Sequence, residues 1–194
     1  MVGRRKLLAT DDIKRNAELS HPSGGYGSGF FEWLRVFFVA VVISGVINTA
    51  LFQIVLVEQI SMRPTIESGT RVYVSRCAYW FDDVQCGDIV VFFNPADEYN
   101  YVKRVIGLPG DEILILNGQV YRNGTPLTEP YIAEITDGEY SIKVPEGKYF
   151  CLGDNRNVST DSRDEQVGCI ADSQIVGKVM FRVFPWGKIK EYKH

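Results

Sequence analysis

The feature that most constrains this 194-residue chain is a long apolar segment near its N-terminal end. Residues 36–57 contain no charged side chain. As a helix, these about 22 residues would extend roughly 33 Å, which matches the hydrocarbon core of a bilayer. Trp33 and Arg35 precede the segment, as interfacial aromatic and basic residues do. We therefore predict a membrane anchor over residues 36–57.

Two other interpretations compete for this segment. A cleaved signal peptide has an apolar run of about 7–15 residues before a small-residue cleavage site, and this run is longer. A buried core helix of this length without a polar face would be unusual in a small domain. The anchor is favoured, and N-terminal sequencing of the mature chain would test the signal peptide. Basic residues before the segment predict that residues 1–35 form a cytoplasmic tail and linker.

Beyond Val57 the pattern changes to short apolar runs that are separated by turn residues. Asn117-Gly118 lies between two such runs and is a favoured two-residue hairpin turn. No long helical period occurs, so residues 58–194 are predicted to form a mostly antiparallel β-sheet domain outside the cytoplasm. The predicted strands cover residues 71–75, 88–93, 100–106, 112–116, 119–122, 148–152 and 175–184.

Composition excludes several classes of function. The net charge of −3 gives no indication of a nucleic-acid partner. His21 lies in the polar tail and His194 is the last residue, which argues against a Ser-His-Asp mechanism and a histidine metal site. We expect neither a metal nor a cofactor. The cysteines form no C-x-x-C pair, and two arrangements stay open: disulfides Cys77–Cys86 and Cys151–Cys169, or four unpaired small residues.

A serine close to the end of the apolar segment is a candidate nucleophile. Ser61 follows Val57 by four residues, and a serine needs a base to become nucleophilic. Since no histidine is suitably placed, Lys103 is the best candidate, because it lies within a mainly apolar predicted strand. Alternation puts Lys103 on the same face as Tyr101. Burial would lower the pKa of this lysine, although an edge-strand lysine that reaches solvent would give the same pattern.

A polar loop at residues 153–163 is the third element. It does not fit a calcium-binding EF-hand loop, because Arg156 and Val158 occupy ligand positions and Ser159 replaces the required glycine. Its paired opposite charges suit a hydrogen-bond network that supports a site.

These elements together resemble the ordered motifs of bacterial type I signal peptidases, in a short form of the family. The motifs are Ser-Met-x-Pro-Thr at 61–65, Gly-Asp-Ile-Val at 87–90, Val-Lys-Arg-Val-Ile-Gly-Leu-Pro-Gly-Asp at 102–111, and Gly-Asp-Asn-Arg at 153–156 with Ser-x-Asp-Ser-Arg at 159–163. The resemblance covers the chain from about residue 36 to its end, and four motifs in order are specific evidence.

The resemblance implies a role for each matching residue. Ser61 would attack the scissile carbonyl, and neutral Lys103 would accept its proton as the general base of a Ser-Lys dyad. Ser159 would orient Lys103, and the backbone N–H of Ser61 would donate to the oxyanion. The charged pairs that would brace the loop are Asp161 with Arg163 and Asp154 with Arg156.

The substrates implied by the resemblance are secretory pre-proteins with small residues at the first and third positions before the cut. A substrate strand would add to an exposed sheet edge, and the lipid bilayer and a nearby secretion translocon would be the other partners. The shallow pockets would be lined by Met62, Ile66, Tyr101 and Val102. The chain departs from the family where a small hydroxyl residue commonly precedes the nucleophile by two positions. Gln59 stands there, and its amide could be the second oxyanion donor.

Two alternative functions remain open. A Ser-Lys self-cleaving regulator peptidase would carry a DNA-binding domain where this chain has its apolar segment. A membrane-anchored β module that only binds would keep its function without Ser61 and Lys103, so alanine at each position distinguishes it from a peptidase.

Overall fold

The computed structural model describes residues 26–185, except for the side chains of residues 26–28 and 49–50. The predicted cytoplasmic tail at residues 1–25 lies outside the described residues. The chain divides into two compact units after Val46. The first described element is helix α1, and eleven strands follow it.

Helix α1 (Tyr26–Leu51) begins and ends earlier than the sequence predicted. Its apolar part, Gly29–Asn48, is long enough to cross a membrane, and its described side chains are exposed. The expected span at residues 36–57 is wrong at its C-terminal end, because Phe52–Val57 forms strand β1. All six of these residues pair with strand β2 (Thr70–Ser75). Apolar β-branched residues suit a strand and a membrane helix equally, so composition could not separate the two.

The larger sheet has seven antiparallel strands in the order β1-β2-β11-β3-β4-β9-β10. Five of these strands, β2, β3, β4, β9 and β11, match ranges that the sequence predicted, whereas β1 and β10 were not predicted as strands. The mostly antiparallel β fold is confirmed. The strands not yet given are β3 (Ile89–Asn94), β4 (Tyr99–Gly107), β9 (Lys148–Leu152), β10 (Ile170–Ala171) and β11 (Ile175–Phe184). A short 3₁₀ helix, Asp172–Gln174, precedes β11.

The smaller sheet has four strands in the order β7-β6-β5-β8. The predicted hairpin is confirmed: Asn117 and Gly118 have φ values of 52° and 81°, as a type I′ turn requires. The strands are β5 (Glu112–Leu116), β6 (Gln119–Arg122), β7 (Thr125–Pro126) and β8 (Tyr140–Lys143).

Three buried apolar clusters form the core. One joins β1, β2 and β3 with Met62 and Ile66, a second lies between β3, β4 and β9, and a third packs the smaller sheet against Phe150 and Leu152. Strand β4 contributes to all three, so both of its faces are buried. The four cysteines are unpaired, which is the second of the two arrangements that the sequence left open.

Candidate active site

Ser61 lies in a tight turn that follows β1. Its neighbour Met62 is fully buried in the core, and the Ile66 N–H donates to the Met62 carbonyl at 2.9 Å. Met62 and Ile66 therefore fix the backbone on which Ser61 is placed. The Ser61 side chain is not in the core cluster, but the residue is only 6 % exposed.

Lys103 lies in the middle of β4 and is 1 % exposed. Its Nζ donates to Oγ of Ser61 at 2.7 Å, although 42 residues separate the two in sequence. Nζ also lies 5.1 Å from the centre of the Tyr101 ring, which shares its face of the strand. The structure thus brings the predicted nucleophile and base into direct contact.

The protonation of Lys103 is governed by its burial. Loss of solvent lowers its pKa from 10.5 to about 8, because the ammonium form is poorly solvated inside the domain. The Asp161 carboxylate opposes this shift, and the Arg163 guanidinium adds to it. A minor fraction of Lys103, roughly a tenth to a fifth, is therefore neutral at about pH 7.0–7.4, and a neutral amine can accept a proton.

The polar loop at residues 153–163 is bonded directly to the serine turn. The Asn155 N–H donates to the Ser61 carbonyl at 2.9 Å, and the Asn155 side-chain amide donates to the Ile60 carbonyl at 3.2 Å. Gly153 lies against the same Ser61 carbonyl: a Cβ there would be 2.5 Å from the Ser61 oxygen. Only glycine fits this close approach of the two backbones.

Asp161 and Arg163 form the pair that the sequence predicted. Nε of Arg163 donates to Oδ1 of Asp161 at 2.8 Å, and the carboxylate is fully buried. Oδ2 of Asp161 also accepts from the Gly153 N–H at 3.0 Å. The ion pair therefore holds the glycine that lies against Ser61.

The predicted pair Asp154–Arg156 is wrong. Asp154 instead accepts two hydrogen bonds from Arg104, at 2.9 and 2.7 Å, and one from Thr65. Arg156 instead forms a bidentate ion pair with Glu129. Unlike Asp161 and Arg163, the side chains of Asp154 and Arg156 point to different neighbours, and each has a buried partner from a distant part of the chain.

Ser159 does not make the predicted hydrogen bond to Lys103 in this structure. Its Oγ is buried without a partner among the described residues. The side chain instead lies against Gly153, where an added Cβ would clash with the hydroxyl oxygen. Ser159 is therefore packed against the glycine that lies beside the Ser61 turn.

A cavity of about 320 Å³ opens beside the Ser61–Lys103 pair. Met62 and Ile66 do not line it, because both are fully buried in the core, and Val102 is also a core residue. Tyr101 is the one predicted pocket residue on the lining. The lining residues are Glu58, Gln59, Ile60, Ser61, Tyr101, Lys103, Val158 and Thr160.

Gln59 lies on this cavity and is exposed. Within residues 26–185, neither its amide nor the backbone N–H of Ser61 has a hydrogen-bond acceptor. Both residues line the cavity, and neither donor group is already engaged within the described residues.

The sequence missed residues that complete the site from outside the motifs. Glu129, Tyr131 and Thr136 lie between β7 and β8 and surround Arg156. A hydrophobic residue pattern gives no signal for them, since their role depends on contacts made only in the fold. Val158 and Thr160 on the cavity wall were also missed, although they alternate along the predicted loop.

Comparison with known proteins identifies the family. The family described as signal peptidase, peptidase S26, matches residues 30–186. The chain belongs to this family. The resemblance drawn from the four motifs is therefore confirmed, and family membership identifies the chain as a serine endopeptidase.

Individual signal peptidases are similar over most of the chain. Signal peptidase I of Bacillus licheniformis is 37 % identical over 175 residues, which cover 84 % of this chain and 94 % of the relative. Signal peptidase I T of Bacillus subtilis strain 168 is 35 % identical, with coverages of 84 % and 90 %. A crystal structure of a signal peptidase I from Enterococcus faecalis V583 is 32 % identical, with a TM-score of 0.47; it covers 51 % of this chain and 98 % of that one.

Proposed function

We propose that this signal peptidase cleaves secretory pre-proteins with Ser61 as the nucleophile and Lys103 as the general base. The observation that carries the assignment is the 2.7 Å contact between the two side chains, in a buried site beside an open cavity. The assignment does not use a histidine, and His21 and His194 lie outside the described residues.

The reaction begins when Lys103 has lost its proton. The Ser61 hydroxyl then donates to Nζ, and Oγ forms a bond to the scissile carbonyl carbon as its proton passes to Lys103. The tetrahedral intermediate collapses, the C–N bond breaks, and Lys103 returns the proton to the leaving amine. Water, deprotonated by Lys103, then attacks the ester carbonyl carbon; the bond to Ser61 Oγ breaks, Lys103 returns the proton to Oγ, and the signal peptide leaves with a new carboxylate.

The developing oxyanion needs donors that are in place before the reaction. The Ser61 N–H is one candidate, since it has no acceptor among residues 26–185 and belongs to the attacking residue itself. The Gln59 amide is the second candidate, because it reaches the same cavity. A Gln59→Ala change should lower kcat more than it raises KM, as a donor to the transition state requires.

The cavity supports a preference for small residues next to the cut. The substrate backbone would occupy part of its volume of about 320 Å³ beside the catalytic pair. Tyr101 and Val158 lie on its walls, where they would limit the size of the side chains at the first and third positions. An extended pre-protein would lie along the exposed residues 58–60, whose backbone continues from edge strand β1.

Helix α1 supports membrane anchoring by its length and exposed apolar side chains. We propose that the N-terminus is cytoplasmic and the β domain extracytoplasmic, because basic residues precede the helix. Protease added to intact spheroplasts should then digest the β domain and leave an N-terminal tag protected. Protection of the β domain would reverse the proposed orientation.

The catalytic assignment is tested with the full chain in detergent and a secretory pre-protein. Ser61→Ala and Lys103→Ala should each abolish release of the mature chain, because each removes one half of the proton transfer. Exposed Ser141→Ala and Lys148→Ala are matched controls and should cleave at the wild-type rate. Normal cleavage by the Lys103→Ala protein would eliminate the dyad, and function that survives both site changes would favour a binding module.

A further inference from the structure

The segment between β7 and β8, residues 127–139, carries buried polar residues that none of the four motifs contains. Glu129 and Thr136 both bind Arg156, which is itself fully buried. The side chain of Glu129 is 4 % exposed, and Thr136 is completely buried. Burial of charged and polar groups costs free energy of desolvation, and this cost is offset only when the groups are paired. The burial of Glu129 and Thr136 in this segment therefore needs an explanation.

Most of the N–H groups of Arg156 already donate hydrogen bonds. Nη1 donates to Glu129 at 2.9 Å and to Thr136 at 2.7 Å, while Nη2 donates to the second oxygen of Glu129. The Tyr131 hydroxyl donates to Glu129 at 2.8 Å, and the Tyr131 ring lies 4.0 Å from the Arg104 guanidinium. The contacts of Arg156 with Glu129 and Thr136 hold its guanidinium in one orientation.

That orientation aims Nε of Arg156 at the loop beside the nucleophile. Nε donates to the Gly153 carbonyl at 3.1 Å, and the Gly153 N–H is held by Asp161. Gly153 is thus held through both its N–H and its carbonyl, and its α-carbon lies against the Ser61 carbonyl. A shift of Gly153 would therefore be transmitted to Ser61.

The same segment is also tied to the smaller sheet. The Thr136 N–H donates to the Gly118 carbonyl at 3.3 Å, in the β5–β6 turn. The Ile135 side chain packs on that glycine, within 3.0 Å of where a Cβ would be. Residues 127–139 therefore connect the hairpin of the smaller sheet with the loop that supports Ser61.

We propose that Glu129 and Thr136 are positioning residues for the peptidase reaction, which act through Arg156 and Gly153 to hold Ser61 against Lys103. Neither residue lines the cavity beside Ser61, so neither contacts the substrate. Their contribution belongs to the chemical step and not to substrate binding. This inference rests on the proposed function, since it assumes that the Ser61–Lys103 pair performs the chemistry.

The test compares conservative variants of the full chain in detergent with a peptide substrate. Glu129→Gln keeps the shape but removes the charge that fixes Arg156, and kcat should fall roughly 10- to 100-fold, as misplacement of a reacting group by about 1 Å does. Thr136→Val should lower kcat by roughly three- to tenfold through the loss of one hydrogen bond, and Thr136→Ser should restore it. KM should stay within about twofold in all three.

The controls make the same chemical changes at exposed positions. Glu112→Gln removes a carboxylate from the smaller sheet, and Thr128→Val removes a hydroxyl from the same segment. Both should retain the wild-type kcat. Circular dichroism and a thermal unfolding curve for each variant establish that the assay temperature lies well below its Tm.

The outcomes separate positioning from simple stabilisation. A kcat deficit that persists on cooling of fully folded Glu129→Gln enzyme supports the proposal. Wild-type kcat in the folded variants, or recovery of kcat below their Tm, overturns it. Should Glu129→Gln not fold, the Thr136 pair decides. If the wild-type chain cleaves nothing, the proposed function is contradicted. If the wild type and the variants cleave equally well, only the positioning role is contradicted, so the two failures are distinguishable.

Discussion

Replacement of Lys103 by methionine should abolish cleavage and stabilise the protein at neutral pH. Methionine has a similar length and no charge, so it fills the same buried space. The wild-type lysine has a pKa of about 8 in the fold and 10.5 when solvated. At about 1.36 kcal/mol per pH unit, this difference corresponds to about 3 kcal/mol of stability that the wild type lacks below pH 8.

The lower pKa of Lys103 in the folded chain also determines how the stability gained by Lys103→Met depends on pH. Below pH 8 both the folded and the unfolded chain hold the proton, and the full cost of burying the ammonium group is present. Between pH 8 and 10.5 only the unfolded chain still holds it, so wild-type stability rises with pH through that window. The advantage of Lys103→Met should therefore be largest near pH 7 and should shrink as the pH approaches 10.5.

Thermal unfolding at pH 7 and pH 9.5 measures this prediction. About 3 kcal/mol corresponds to a Tm increase of roughly 6–12 °C at pH 7 for a domain of this size. The matched control is Lys143→Met, an exposed lysine on β8, which should leave Tm nearly unchanged. A lower Tm for Lys103→Met, or an increase of equal size at both pH values, would show that the burial of Lys103 does not depress its pKa.

Three further predictions concern the same site. The wild-type kcat/KM should rise about tenfold per pH unit below pH 8 and level off above it, because only neutral Lys103 accepts the serine proton; a pH-rate profile that is flat down to pH 6 would contradict this. Gly153→Ala should destabilise the protein by about 1–3 kcal/mol and lower kcat, because the new methyl group meets the Ser61 carbonyl; kinetics and urea unfolding together measure both effects. Asp154→Asn should cost about 3–5 kcal/mol in urea unfolding, since it removes the carboxylate charge that is paired with the buried Arg104, and a loss below about 1 kcal/mol would refute that account.

Seven of the eleven described strands could be predicted because their signals are local, whereas β1, β7, β8 and β10 were not predicted. The hairpin at Asn117-Gly118 depends on two residues that tolerate positive φ, and both adopt it. The β1 strand could not be predicted, because Phe52–Val57 continues an apolar run and its identity is set by pairing with β2. Local patterns determine whether a segment is extended, whereas only the fold determines what it pairs with.

The same distinction applies to the site. Ser61 and Lys103 could be predicted as partners from their motifs and from the lack of a placed histidine. The observed ion-pair partners of Asp154 and Arg156 could not be predicted. The two residues lie close in sequence, so a pair between them is the simplest assumption. Their true partners, Arg104 and Glu129, come from β4 and from the segment after β7. Such choices depend on three-dimensional packing, which a single sequence does not display.

Side chains along β4 point alternately to its two faces, so the proposed mechanism depends on the length of the turn between β3 and β4. Lys103 and Arg104 are adjacent and point to opposite sides of the strand, one toward Ser61 and the other toward Asp154. A single-residue deletion between β3 and β4 that moved the strand by one position would present the guanidinium to the serine. Arginine keeps its proton at any physiological pH, so the shifted chain would retain a sheet and lose its base. The turn at residues 95–98, which includes neither of the two residues that we propose as catalytic, thereby determines whether the proposed base reaches Ser61.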